Sequence, residues 1–553
     1  MATRYVENYR FNDMTDAQTI QAAIEALEDG DTLVFNKKTE IKDESTGAVI
    51  GYDTTYVLDA PVDFTRCNVG DDETPVIVNK TRKYLTINGN GCTVCGSDSF
   101  IETYGKTGTG NKNALFYTSD NTGCGMEYCT IRNFHFTWKS SESNKSADRN
   151  IRNMGVGVVT SEGSPYFSNS IIENCTFDDF RIGLYQCGKD SITRGCTFTN
   201  CHEGIYSDGS VRNVFEDNYF FTTWYTGLHL GSSGDSIARN NKFYKCKVFS
   251  IFATGAFESS TNSKDTRITI MDNKIYGEGF DVTRKDYGIK LQAVHQAVVS
   301  GNIICDIGGN DDTSGYGIYV DGNLNAYKDG YDSICVSKEV TVSNNVIYGC
   351  CGGGIRVNNS AGVLISGNNI INNPENDPDE DSGRTKYGIV IRLKTHGATV
   401  SNNMIYQFDE GNAISVSQGA DIVVIQNNSV INERFVLEDH IMNDRIIDNA
   451  TYSTPGITLP NSTSEFSNGE KFRLKIPENY TEAAILVIAY NGNAYMLHGN
   501  NSSDPTDDSE TINFPTEKAG KYIWIEYRSI GEGYRFFYMD DYIPAADQSN
   551  TTN

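Results

Sequence analysis

From about residue 130 to residue 432, apolar residues recur on two interlocking tracks. One track closes a short motif of the form Ile-x-Asn-x-x-Phe, as in Ile172-Glu-Asn-Cys-Thr-Phe177. It runs through Phe136, Phe177, Phe198, Phe220, Phe243, Ile275, Ile304, Ile347, Ile371, Ile405 and Val430. The other follows a glycine in most units: Val158, Leu184, Ile205, Leu228, Ile251, Ile289, Ile318, Ile355, Ile389 and Ile414. The uninterrupted step from first track to second is 7 to 9 residues, and from second back to first 14 to 16. Longer steps carry polar inserts, such as Asn372 to Ser382. A period of 21 to 25 residues with inserts at only two phases predicts the stacked coils of a parallel β-solenoid. Helical repeats fit less well, because stretches such as Ile289-Lys-Leu-Gln292 alternate with period two and are rich in Ile, Val, Tyr and Phe.

Two positions before the first track stand Asn218, Asn241, Asn273, Asn302, Asn345, Asn369, Asn403 and Asn428. Coils in a solenoid lie about 4.8 Å apart, so each Asn amide can donate to one neighbour and accept from the other. Asn also tolerates the left-handed backbone of sharp turns. A structural ladder is therefore expected here, with Cys175 and Cys196 as neighbouring thiols in the same column.

The ends of the chain differ from the middle. Thr15-Asp-Ala-Gln18 has capping-box spacing and opens a predicted helix from Asp16 to Leu27, with Ile20, Ala23, Ile24 and Leu27 on one face. Gly30 to Phe35 reads as a first strand. After Asn432 the period stops; residues 433–455 read as a linker. Strand-like runs follow at Lys471–Ile476, Ala484–Tyr490, Tyr522–Tyr527 and Tyr534–Tyr538, suggesting a β-sandwich. The expected division is a capping segment 1–35, a solenoid 36–432, a linker 433–455 and a C-terminal β-domain 456–553.

Charge narrows the partners. Lys and Arg number 46 against 72 Asp and Glu, a formal net charge of −26, which disfavours nucleic acid and anionic membranes. The longest apolar run, Ala483 to Tyr490, is too short to cross a bilayer. The first residues carry no apolar signal-peptide core, so any extracellular role is expected to use another route. The fourteen cysteines are spread along the chain and read as buried thiols. No cofactor is expected. The acidic stretches Asn310–Asp312 and Asp377–Asp381 lack the ligand spacing of a calcium loop.

In each glycine-led strand the track residue must point inward, so the next residue and the one two further on point out. The first outward column is Tyr185, Tyr206, His229, Phe252, Lys290, Tyr319, Arg356, Val390 and Ser415. The second is Cys187, Asp208, Gly231, Thr254, Gln292, Asp321, Asn358, Arg392 and Ser417. Exposed rings beside charged forks suit a sugar polymer, because rings cover C–H faces and forks hold hydroxyls or carboxylates. Rings that merely stabilise the sheet remain the alternative. Hydrolysis needs two carboxyls. The richest neighbourhood contains Asp178, Asp179, Arg181, His202, Glu203, Asp208, Trp224 and His229, with Asp208, Glu203 and His229 as catalytic candidates. Asp208 and His229 should fall on neighbouring coils, whereas Glu203, before Gly204, is expected at a turn. Tyr185, Tyr206, Trp224, Lys290, Tyr319, Asp321 and Arg356 are substrate-binding candidates. Lys290, Asp321 and Arg356 also form a possible uronate clamp, which leaves lyase or epimerase chemistry open.

These coils resemble the single-stranded right-handed β-helix of the pectate-lyase-like superfamily over roughly residues 13–432. The resemblance implies an all-β solenoid whose open end the N-terminal helix covers. The superfamily includes polysaccharide lyases, glycoside hydrolases and bacteriophage tailspikes. Its galacturonan hydrolases carry adjacent aspartates, Gly-His-Gly and Arg-Ile-Lys; Cys201-His-Glu-Gly204 and Gly288-Ile-Lys290 are only fragments of that set, so pectin hydrolysis is not expected. The tailspike branch implies a homotrimer on a virion tail, locked by the C-terminal domain, that binds and depolymerises a capsule, lipopolysaccharide or other cell-wall glycan. A non-catalytic adhesin or fibre is the competing expectation.

Overall fold

The structure is a computed structural model. It describes residues 1–43, 45–70, 74–104, 114–118, 124–138, 156–159, 167–255, 266–278, 285–309, 314–322, 336–372, 386–392, 394–408, 410–417 and 420–431. In the C-terminal part it describes 445–447, 451–453, 456–458, 470–477, 479, 487–490, 493–499, 522–530 and 533–538. The chain divides into two compact units, Met1–Phe435 and Val436–Asn553.

In the first unit each coil contributes one strand to each of three long parallel sheets. One coil, for example, supplies Ile192–Arg194 to the first sheet, Thr197–Thr199 to the second and Glu203–Asp208 to the third. The next coil's Val214–Glu216 then pairs beside Ile192–Arg194. Both apolar tracks lie in register. Phe177 pairs with Phe198, Phe198 with Phe220 and Phe220 with Phe243 in the second sheet. Leu184, Ile205, Leu228 and Ile251 do the same in the third. These residues point inward and are fully buried in one continuous core. The four Phe rings stack in parallel, offset planes with centroids 4.6–5.0 Å apart and interplanar angles of 2–11°. Each such pair is worth about 0.5–1.5 kcal/mol beyond its buried area.

The Asn ladder forms, with one correction. Asn218 Nδ2 donates to Asn241 Oδ1 at 3.0 Å, and the chain continues through Asn273, Asn302, Asn345, Asn368, Asn403 and Asn428. The sixth rung is Asn368, not Asn369, and the inward residue of that coil is Ile370, which pairs with Ile347, not Ile371. The run Asn368-Asn369-Ile370-Ile371 reads equally well in two registers one residue apart, and the amide ladder selects one. The left-handed backbone also falls one residue earlier than expected, on Asp217, Asn240, Asp272, Asn344, Asn402 and Asn427. Turning and bonding are thus divided between two successive residues. Cys196 extends the column, its N–H donating to Asn218 Oδ1 at 3.0 Å.

The helix spans Asp16–Glu25, two residues shorter than predicted, and Thr15 with Gln18 forms the capping box. Ile20, Ala23 and Ile24 join the solenoid core beside Leu33 and Leu58. At the helix C-terminus lies a residue that periodicity gave no reason to single out. Arg82 is fully buried and donates to the Leu27 carbonyl at 2.6 Å and the Arg66 carbonyl at 2.7 Å. It thereby satisfies an otherwise orphaned carbonyl just past the helix end.

The second unit contains eight strands among its described residues, joined in a single hydrogen-bonded order with parallel and antiparallel pairs. Tyr522–Ile530 pairs antiparallel with both Glu470–Lys475 and Gly533–Tyr538. Arg445–Ile447 and Thr451–Ser453 are strands within the segment read as a linker; they pair with Phe472–Leu474 and with Gly456–Thr458.

Candidate functional site

The outer face of the third sheet carries the expected columns. Tyr185, Tyr206, His229, Phe252, Lys290, Tyr319, Arg356, Val390 and Ser415 pair one after another in unbroken register. Asp208, Gly231, Thr254, Gln292 and Asp321 align beside them. Their rings form clusters separate from the interior core: Tyr185 with Ile182 and Cys187, and Phe252 with Phe249, Tyr287 and Tyr319. The columns point outward but are less open than the sequence suggested. Tyr185 is 6% exposed, Phe252 8%, Tyr319 5% and Arg356 7%. Close mutual stacking accounts for this: Tyr185–Tyr206 centroids lie 5.1 Å apart, His229–Phe252 4.9 Å and Tyr287–Tyr319 5.7 Å.

A third outward column precedes the glycines: Ile182, Glu203, Thr226, Phe249, Tyr287, Tyr316, Gly353 and Tyr387. It corrects the expectation for Glu203, which begins the strand Glu203–Asp208 and faces the site rather than a turn. Strict alternation would put Glu203 on the same side as Ile205. The backbone around Gly204 breaks that parity, and only glycine fits there. A Cβ at Gly204 would lie 2.7 Å from the Phe220 ring and 2.7 Å from the Gly227 carbonyl.

Glu203 and His229 meet across neighbouring coils, with His229 Nδ1 3.3 Å from Glu203 Oε2. An ionised carboxylate only accepts, so Nδ1–H is the donor; in the neutral ring Nε2 is then the acceptor nitrogen. That Nε2 is buried and has no hydrogen-bond partner among the described residues. Tyr206 meets the imidazole edge to face at 4.7 Å, and Phe252 covers its other side. Asp208 lies at the far end of the strand that Glu203 begins and approaches bare Gly231, where an added Cβ would lie 3.2 Å from its Oδ1. Burial pushes the Asp208 carboxyl above the ordinary carboxylate range, while His229 acts in the opposite direction. Burial, with the Asp208 and Glu203 carboxylates, pushes the Tyr206 hydroxyl up to about 12.

The remaining members of this neighbourhood sit at the corner before the sheet. His202 stacks on Tyr225 at 5.2 Å and reaches to 4.0 Å from Glu203 Oε1. Trp224 lies in the connection rather than on a strand, and Lys247 covers its ring at 4.0 Å. Asp179 takes the left-handed backbone of a corner.

Two coils beyond His229, a second group begins. The Lys290 ammonium lies 5.0 Å from the Tyr287 ring centre and 5.2 Å from that of Tyr319. Arg356 lies 5.4 Å from both Tyr316 and Tyr319. Asp321 accepts from Asn359 Nδ2 at 3.1 Å, and Asn358 Nδ2 donates to the Tyr319 hydroxyl at 2.7 Å. Burial lowers the pKa of Lys290, with Asp321 opposing it, and burial raises that of Asp321. No group of three or more His, Cys, Asp or Glu that could hold a metal occurs among the described residues. Asp377–Asp381 and the aspartates Asp311 and Asp312 lie outside them, as do the central parts of the inserts after Tyr276, Cys305 and Asn372.

Solved structures of similar fold include the Streptococcus pneumoniae surface protein and adhesin PfbA. It is 14% identical, with a TM-score of 0.48, covering 77% of this chain and 100% of that one. A tailspike protein mutant of E. coli bacteriophage HK620 in complex with pentasaccharide is 13% identical, with a TM-score of 0.49, covering 77% and 78%. The periplasmic alginate epimerase AlgG is 14% identical, with a TM-score of 0.40, covering 68% and 78%. No curated protein sequence matches the chain. The family described as right handed beta helix region matches at residues 135–285, 167–328, 254–405 and 287–470. Those overlapping matches span more than half of the chain, which belongs to the right-handed β-helix family.

Proposed function

We propose that this chain is a tailspike-like protein that binds a cell-surface polysaccharide along the third sheet and cleaves it by glycosidic hydrolysis. The observation that carries this reading is the unbroken outward stripe from Tyr185 to Arg356, with Glu203 and His229 joined inside it. The stripe repeats at about 4.8 Å and presents ring edges and polar groups to successive sugars. Asp208, with its pKa raised by burial, is suited to act as the general acid. It gives its proton to the glycosidic oxygen as the bond from that oxygen to the anomeric carbon breaks. A water adds its hydroxyl to the anomeric carbon and passes its proton to His229 Nε2, while Glu203 holds the imidazole by Nδ1.

The proposed setting is a homotrimer on a virion tail, with the C-terminal unit holding the copies together. Light scattering on the whole protein should give three times the chain mass, and a monomer mass would remove that part. Incubation with capsule and lipopolysaccharide panels tests the chemistry. New reducing ends support hydrolysis. Binding with no chain shortening would replace it with the adhesin reading. One observation favours β-elimination as a second reading: Lys290, whose charged form burial disfavours, lies near Arg356 and could act as the base. Ultraviolet absorbance from unsaturated products would select it.

A further inference from the structure

Charge on the first sheet's outer face, and at the turn that leads into each of its strands, is balanced coil by coil. Arg194 pairs with Glu173 at 2.7 Å, Arg239 with Glu216 at 2.6 Å, Arg212 with Asp190 at 2.6 Å and Arg267 with Asp235 at 2.7 Å. Every one of these cations has a carboxylate from a neighbouring coil. The third sheet is built differently between Lys290 and Arg392. Its outward columns there, extended by Arg392 just past the strand Tyr387–Ile391, hold Lys290, Arg356 and Arg392 against a single acid among the described residues, Asp321, in a chain whose net charge is −26.

Rings lie beside all three cations. Lys290 lies over Tyr287 and Tyr319, Arg356 over Tyr316 and Tyr319, and Arg392 over Tyr387 at 5.1 Å. Ring faces position a cation without neutralising it or using all its N–H donors. Neither Lys290 nor Arg392 makes an ion pair among the described residues. Arg392 Nε is buried without a hydrogen bond there. Such a group is costly to bury unless something supplies an acceptor. Among the described residues, the exposed arginines named above are paired with carboxylates, whereas Lys290 and Arg392 are not.

We propose that the coils from Lys290 to Arg392 form a subsite for acidic sugar residues, so that the polymer bound along this face is an anionic polysaccharide. The inference rests on the reading of this face as a glycan site and adds the charge class and its position. The subsite begins two coils from His229, about 10 Å by the strand spacing, and continues for three more coils. Acidic residues are therefore held to one side of the bond at Glu203, His229 and Asp208. An incoming anion would also favour the charged form of Lys290, which burial alone disfavours.

The test uses the full chain and calorimetric titration with defined probes. Hyaluronan and polygalacturonate oligosaccharides are compared with their carboxyl-reduced forms, and chondroitin sulfate with its desulfated form. The native form of at least one probe should bind at least tenfold more tightly, with affinity falling as salt rises. The pair that discriminates identifies carboxylate or sulfate as the anion. Arg392→Gln, at a half-buried site, and Lys290→Gln should each reduce that preference, with unchanged melting curves showing that the fold persists. Equal binding of charged and neutralised forms would overturn the acidic subsite while leaving glycan recognition standing, as would variants that keep the full preference. Absence of binding to every glycan, charged or neutral, including the capsule and lipopolysaccharide panels, would overturn the glycan reading and this inference with it.

Discussion

Glu203 and His229 are 26 positions apart in the chain, yet their carboxylate and imidazole approach to 3.3 Å because one coil of the solenoid separates them. The contact depends on an irregularity as much as on the repeat. Gly204 turns Glu203 to the outer face, where period-two counting would have turned it inward.

Asp208→Asn keeps the shape of the side chain and removes the transferable proton. It should lower polysaccharide cleavage by about a hundredfold or more while leaving binding intact. Glu203→Gln should have a similar effect by loosening the imidazole. Reducing-end release and titration calorimetry on the same preparations separate the two effects; full cleavage by Asp208→Asn would remove Asp208 from the mechanism.

Burial holds the Asp208 and Asp321 carboxyls above the ordinary carboxylate range, so the folded chain retains protons that the unfolded chain releases. Their stabilising effect is complete below the unfolded pKa and fades as pH rises through the folded values. Melting temperatures followed from about pH 4 to about pH 8 should fall less in Asp208→Asn and Asp321→Asn than in the parent. Parallel curves for all three proteins would contradict the shifts.

Asn368→Ala should destabilise the solenoid by about 1–3 kcal/mol, because it strands donors and an acceptor in the buried ladder. Asn369→Ala should cost less than about 0.5 kcal/mol, since its buried Oδ1 has no partner among the described residues. Denaturant titration of the two variants reads out the register, and a larger loss for Asn369→Ala would place the coil in the other one.

Gly204→Ala should destabilise by about 1–3 kcal/mol or more, as the new methyl meets both the Phe220 ring and the Gly227 carbonyl. It should also disturb cleavage more than Gly209→Ala, where an added Cβ meets nothing within 4 Å, although a positive φ there adds its own strain. Matched losses of activity would show that the Glu203 orientation does not depend on Gly204.

Much of this was legible in the order of residues. Inward and outward columns follow from the repeat because parallel coils in register turn a sequence interval into a spatial neighbour. Tyr206 over His229 and Tyr319 over Arg356 therefore came directly from counting. Two features did not. The column holding Glu203, Phe249 and Tyr316 lies beyond a parity break, although the recurring Tyr-Gly-Ile at Tyr287, Tyr316 and Tyr387 was an available signal. The role of Arg82 depends on carbonyls at Leu27 and Arg66, brought together by the capping helix and invisible to any periodic reading. Trp224 looked suitable by composition, but a corner position gives its ring to Lys247.

The amide column from Asn218 to Asn428 has a direction: each side chain gives to the next coil and receives from the one before. Every internal member makes the same two agreements with its neighbours, whatever their distance in the chain. A whole turn of the spiral can therefore be duplicated or excised with no compensating change on either side. Evolution can lengthen or shorten such a molecule in discrete steps, and so adjust the number of sites along its outer wall without redesigning the part that holds it together.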